Sequence, residues 1–327
     1  MRIRWIPVLT VAAVAASSAA MVQAPRHLNP VVDLLAQKKA VFGLYAPANR
    51  RAGRGGAMPA DAPPPKAPAE LAKDAITNST ADYLFDGTME GDFDRGFAPF
   101  TEFMKGMSDG GMLRTAPVKM LHQPLFVKTH EIEPDPALAS ERIAKQLNLG
   151  VTGIVLVDVK SADEAKKGIA AMRFKSQGGT RPDDVGNAPA VWGMSEAEYK
   201  QKADVWPLNP NGELVNFTIV ESKEGLAKVR EIAAVKGIGV LFPGAGTLRG
   251  VFSTTDAAGQ RVLDEAAWEG AIQQVLSACK EFNVPCGYPA TANDIEKRIQ
   301  QGFSVFIISW GEAGFKAVDI GKKAAGR

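Results

Sequence analysis

The stretch Ala203–Ser222, ADVWPLNPNGELVNFTIVES, passes from a turn-rich segment into a mostly apolar strand and ends on a carboxylate, Glu221. An apolar run that does not alternate with charge belongs to a strand covered on both faces, as in a parallel sheet flanked by helices. Charge returns only where the strand must emerge. In a barrel of parallel strands that exit is the face on which chemistry is carried out.

Working outward, the same kind of run recurs along the chain. Strands are predicted at Val41–Pro47, Asp82–Gly87, Pro124–His130 and Gly153–Val159, then at Leu214–Glu221, Gly237–Pro243, Pro285–Pro289 and Ser304–Trp310. Amphipathic helices fall between them, among them Ala137–Leu147, Ala162–Arg173, Lys223–Val235, Glu265–Phe282 and Ala292–Gln301. Ser161 and Thr291 stand where N-caps are expected, and Asn283 and Gly302 follow expected helix ends. Eight strands alternating with helices predict a (β/α)₈ TIM barrel of the α/β class. A doubly wound open sheet is the alternative, weakened because no G-x-G-x-x-G follows the first strand.

Composition narrows the partners. The 327 residues carry a formal net charge of +2, which supplies no electrostatic reason for a nucleic-acid partner. Arg2 and Arg4 precede a mostly small and apolar stretch reaching residue 24, which reads as a signal peptide over residues 1–20. Ala24 offers a second cleavage site, but Pro25 would then flank the scissile bond. The mature chain, 25–327, is expected to be a single barrel domain, exported to the periplasm and without stable membrane insertion. Cys279 and Cys286, on a helix and at the start of the next strand, are read as buried free thiols. Two excursions interrupt the rhythm. Residues 48–75 are rich in Pro, Gly and Ala and are read as a solvated loop or a lid. Residues 174–213 contain Trp192, Tyr199 and Trp206 and are expected to pack over the barrel mouth or on a neighbouring subunit.

Leu28–Pro47, Leu149–Phe174, ADVWPLNPNGEL and Ile219–Phe242 (IVESKEGLAKVREIAAVKGIGVLF) follow one another in an order and spacing that resembles the HpcH/HpaI aldolase and citrate lyase family. The resemblance implies a (β/α)₈ carbon–carbon lyase, a small-molecule substrate and a homo-oligomer. It also implies a divalent metal held by a Glu after the fifth strand and an Asp after the sixth, an Arg that steadies an enolate, and a His near the second strand. Glu221 matches the metal-binding Glu. In FPGAGTLRG (Phe242–Gly250), however, Thr247 stands where the family has Asp, and a neutral hydroxyl is a poor ligand for a hard cation. DGTMEGDFD (Asp86–Asp94) puts Met89 or Gly91 at the histidine's place, and Lys128 stands for the Arg.

Each candidate residue has a plain reading beside the functional one. Glu221 is a general base or hydrogen-bonding group, a metal ligand, or half of a structural ion pair. Lys128 stabilises an oxyanion, forms a Schiff base if desolvated, or pairs with Glu221 or Asp158. His130, two residues on along an extended strand, faces the same side and is a proton shuttle or a satisfied loop histidine. Asp86 and Glu90 reach toward the substrate or belong to a solvated acidic loop with Asp92 and Asp94. The segment Gly244, Ala245, Gly246, Thr247 brings backbone N–H groups to a substrate oxygen or is simply a tight turn. Together they predict a retro-aldol lyase acting through Glu221, Lys128 and His130. It would need no metal and act on a substrate with its own electron sink, such as an aromatic compound releasing a small aldehyde. A metal-dependent 2-keto acid aldolase, with Asp86 completing the site, and a non-catalytic periplasmic binding barrel are the alternatives.

Overall fold

The structure is a computed structural model that describes residues 27–49, 64–133 and 135–327. The expected signal peptide and the middle of the first excursion lie outside the described residues. Eight parallel strands make the frame: β1 (Val41–Tyr45), β2 (Tyr83–Asp86), β3 (Leu125–Lys128), β4 (Gly153–Leu156), β5 (Leu214–Val220), β6 (Val240–Pro243), β7 (Gly287–Pro289) and β8 (Val305–Ile308). Every one of the predicted apolar runs contains a strand, shorter at one or both ends. Their spatial order is β7-β8-β1-β2-β3-β4-β5-β6, all neighbours parallel, with a short strand at Val205–Trp206 beside the start of β5.

The sheet curls toward a barrel without a continuous ladder all round. Between β6 and β7 the pairing reduces to an isolated parallel bridge, Leu241 to Cys286, with the Leu241 amide donating to the Pro285 carbonyl at 3.0 Å. Side chains do what the ladder does not. The Phe242 ring of β6 lies so close to Gly287 of β7 that a β-carbon there would come within 2.1 Å of it. The ring is one end of an aromatic row, Tyr83–Phe126–Phe217–Phe242, with centroids 4.9, 4.7 and 5.3 Å apart. Such contacts contribute about 0.5–1.5 kcal/mol each beyond the area they bury. This row, with Val41, Val155, Val215 and Val305, fills the inside of the curled sheet. A larger cluster packs the outer faces of the strands against the helices.

Caps explain most helix starts. Ser161 accepts from the Glu164 amide as its position predicts, and Asn283 and Gly302 end their helices in the left-handed region at φ 53° and 112°. Two helix boundaries differ from expectation. The cap at the end of the β7 loop is Asp294, not Thr291, whose amide and hydroxyl instead donate to the Asp294 carboxylate. The Lys223–Val235 helix is two short helices, Lys223–Ala227 and Val229–Ala233, that meet at Lys228.

Three further expectations need correction. Cys279 and Cys286 form a disulfide rather than two thiols, because the helix Glu265–Phe282 turns back at Asn283 and leaves their Cα atoms 5.6 Å apart. The described end of the first excursion is ordered as a helix, Pro68–Thr77, whose Ala72 and Ala75 are buried; Ala72 meets Gly106 of the helix Phe93–Asp109. The second excursion does not cover the mouth. Trp192 Nε1 donates to the Gly150 carbonyl at 2.8 Å, and Arg181 donates to Asn148 at 2.9 Å, just ahead of β4. A connection from a helix into the next strand begins and ends at the strands' N-terminal side, so these aromatics pack beneath the sheet, opposite the mouth.

Candidate active site

The C-terminal ends of the strands gather the site. Glu221 follows β5 directly and is 8% exposed. Its Oε1 accepts from the Asp158 amide at 3.2 Å, and the Thr247 hydroxyl donates to the same carboxylate. Gly244 makes this packing fit: a β-carbon there would stand 2.3 Å from the Glu221 Cβ and 2.4 Å from Oε2. Burial pushes the Glu221 carboxyl above the ordinary carboxylate value, while Thr247 and the charge of Lys128 pull it back.

Lys128, the last residue of β3, pairs with Glu90 at 2.8 Å rather than with Glu221 or Asp158. An amine held against a carboxylate is a cation and not a free nucleophile, which favours charge stabilisation over a Schiff base. Its position is braced from behind by Gln146, which donates to the Lys128 carbonyl at 3.0 Å. Asp158 sits at φ 43° and binds Lys160 at 2.9 Å, and Lys160 also reaches Glu131 at 3.0 Å. The buried carboxylate of Glu164 accepts from the amides of Lys160 and Glu133, so one side chain fixes the loops after β3 and β4 together.

A cavity of about 410 Å³ opens here, lined by Glu90, His130, Asp158, Arg142 and Glu221 among others. His130 Nε2 is buried in it with no hydrogen-bond partner among the described residues. Burial, then the charge of Arg142, pushes this imidazole below its ordinary value, against the pull of Asp92, Glu90 and Asp94. A carboxyl displaced upward and an imidazole displaced downward share one cavity, the arrangement that places two proton carriers in a working range.

The remaining predicted residues divide. Asp86 turns to a neighbouring cleft with Pro47 and Arg95, and its Oδ1 accepts from the amide and hydroxyl of Thr88 at 2.9 and 2.6 Å. Asp92 caps the helix Phe93–Asp109. Gly244 to Thr247 is not a free turn: Gly244 caps the helix Ala245–Val251, and the Ala245 carbonyl accepts from Trp268. Gly246 has open space beside it. Met89, at the histidine's place, is fully buried, with its sulfur 3.8 Å from Gln146 Nε2.

Sequence reasoning missed Tyr45 and Arg142. Tyr45 closes β1, 40% exposed at the mouth with its ring edge on Phe85 at 4.9 Å. Burial, and then the charges of Glu90 and Glu221, raise its phenol above the ordinary value. Arg142 lies over the Phe93 ring at 5.1 Å. Neither residue carries a signal in the sequence that separates it from its neighbours.

A divalent cation at the place the resemblance implies would rest on Glu221 and residue 247. The fit is poor. Thr247 offers a neutral hydroxyl already spent on Glu221, and Glu221 Oε1 already holds the Asp158 amide. Among the described residues no three His, Cys, Asp or Glu are grouped to hold a metal, and a neutral hydroxyl is a poor substitute for the second carboxylate.

Comparison with known proteins follows the same line. The sequence profile described as HpcH/HpaI aldolase/citrate lyase matches residues 116–318, a span that includes Lys128, His130, Glu221 and Thr247. The 2-dehydro-3,6-dideoxy-6-sulfogluconate aldolase of Pseudomonas putida is 25% identical over 52% of the chain and 60% of its own length. The 2-keto-3-deoxy-L-rhamnonate aldolase of Escherichia coli O17:K52:H18 is 27% identical over 62% of the chain and 68% of its own length. The chain thus spans 60% and 68% of the length of these two curated relatives. A crystal structure of an HpcH/HpaI aldolase/citrate lyase family protein from Burkholderia cenocepacia J2315 has the same fold, with a TM-score of 0.62 at 19% identity over 86% of this chain and 92% of that one. On profile, relatives and fold together, the chain belongs to the HpcH/HpaI aldolase/citrate lyase family.

Proposed function

We propose that the protein is a carbon–carbon lyase of the retro-aldol type that works without a resident divalent metal. The observation that carries this is the shared cavity of Glu221 and His130, whose proton affinities are displaced toward one another, beside a lysine held as a cation. With a β-hydroxy carbonyl substrate, Glu221 or His130 accepts the hydroxyl proton and the carbon–carbon bond breaks. The hydroxyl carbon leaves as an aldehyde, and the electron pair passes to the carbonyl fragment as an enolate. Lys128 stands where that negative charge is stabilised, and the partner acid returns a proton to carbon. Because one ammonium and hydrogen bonds replace a Lewis acid, a substrate that delocalises the charge itself suits the site, and a phenolic β-hydroxy carbonyl compound is of that kind.

Purified protein offered a panel of aliphatic and phenolic β-hydroxy carbonyl compounds should release aldehyde at the same rate before and after EDTA. The rate should fall about 10²-fold or more in Glu221→Gln. Loss of activity on chelation with recovery on added Mg²⁺ or Mn²⁺ restores the metal-dependent alternative. Turnover by Glu221→Gln at the parent rate removes Glu221 from the chemistry.

We also propose that residues 1–20 direct export. The disulfide supports this, since such bonds persist in oxidising compartments. The N-terminal residue of protein recovered from a periplasmic fraction tests it, and an unprocessed Met1 is the contrary result.

A further inference from the structure

A second cavity lies at the opposite end of the sheet and shares no residue with the site above. It measures about 650 Å³ and opens between the N-terminal approaches to β1, β6, β7 and β8. Its floor is apolar, formed by Leu35, Ile238, Leu276, Val284 and the buried disulfide, and Trp206 and Phe282 flank it. Lys38, Lys39, Lys236 and Lys280 also line it, and among the described residues no carboxylate does.

That charge balance is uneven for a chain so close to neutral overall. At the mouth Lys128, Lys160 and Lys167 each meet a carboxylate. Around the lower cavity none of the four lysines is ion-paired among the described residues, and Lys38 has only a 3.4 Å hydrogen bond to Asn283 Oδ1. Helix ends explain why lysines are placed here. The helices Pro30–Ala36, Val229–Ala233 and Glu265–Phe282 all end at this cavity, so the negative end of each helix dipole lies beside it. A helix end carries about half a charge and its attraction for a cation is about 0.3–1 kcal/mol, so three ends do not neutralise four ammonium groups.

We propose that this cavity binds an amphipathic monoanion, a carboxylate on an apolar body, with the body on the apolar floor and the head among the lysines. The volume is in the range of small-molecule pockets, about 300–1,000 Å³. Decanoate is a suitable probe and decanol its uncharged counterpart. Titrated calorimetrically into the full chain, decanoate should bind saturably at one site and more weakly as salt is raised. The double variant K236E/K280E should weaken it at least about tenfold, and K236Q/K280Q should do so to a smaller degree. Both changes are at exposed positions, and circular dichroism checks the fold. Glu221→Gln should leave decanoate affinity unchanged, so this site and the retro-aldol reading stand or fall separately. The proposal is overturned if decanoate does not bind, if the lysine variants bind it as tightly as the parent, or if decanol binds equally well. It is also overturned if Glu221→Gln weakens binding in parallel, or if the protein sediments with anionic vesicles while ignoring dispersed decanoate.

Discussion

At the scale of single residues, Glu221 joins fold to chemistry through its burial. Because its folded carboxyl is raised above the ordinary value, the folded state holds that proton more tightly than the unfolded chain does. Stability on this account is greatest below the ordinary carboxylate value and declines as pH rises through the raised one. Glu221→Gln keeps an acceptor for the Asp158 amide and removes the buried charge. It should therefore unfold at a higher urea concentration than the parent at neutral pH, with the two midpoints converging as pH falls. A less stable variant at neutral pH would mean that the attraction of Lys128 outweighs the burial cost. Much of this site was legible. Glu221 and Lys128 show themselves as charges at the exits of apolar runs, and Thr247 shows itself against the resemblance. Glu90 as the partner of Lys128 was not legible, because three acidic residues follow β2 and only the fold selects among them. Tyr45 and Arg142 were hidden for a different reason: an aromatic at a strand end reads as core, and an arginine on an amphipathic helix reads as a solvated face.

Among elements, the eight strands were the most readable feature, since strands covered on both faces carry continuous apolar runs. Their helices were less so. Nothing in Lys223–Val235 marks the break at Lys228, on either side of which a short helix packs against the helix Glu265–Phe282. The disulfide was misread because an average helix and strand do not bring two sulfurs together. The left-handed turn at Asn283, which returns the chain to the helix it has just left, makes this pair an exception. Closing so short a loop is expected to contribute about 2–3 kcal/mol. The C279A/C286A variant should lose that much in urea unfolding while retaining aldehyde release at temperatures where it is folded. A variant as stable as the oxidised parent would show that the bond adds nothing to the folded state.

For the whole molecule, the candidate active site lies at one end of the sheet and the second excursion at the other. In that excursion Trp192 is fully buried and hydrogen-bonded to Gly150. Trp192→Ala should cost about 3–5 kcal/mol of stability. At low temperature the folded fraction should turn over as the parent does, since Trp192 is on the far side from Glu221. A selective loss of turnover with unchanged thermal stability would contradict that division. The excursion's aromatics were visible in the sequence, and topology alone could have placed them. The seam between β6 and β7 has a consequence for the protein among its neighbours in a crowded solution. A sheet that curls without zipping has two edges, and an edge is a template on which a foreign strand can grow. Here Pro285 precedes β7 and Pro289 ends it, two residues with no amide hydrogen to offer. The strand at the weak seam is thus a poor primer for intermolecular pairing, and the molecule can leave its barrel loosely joined without inviting aggregation.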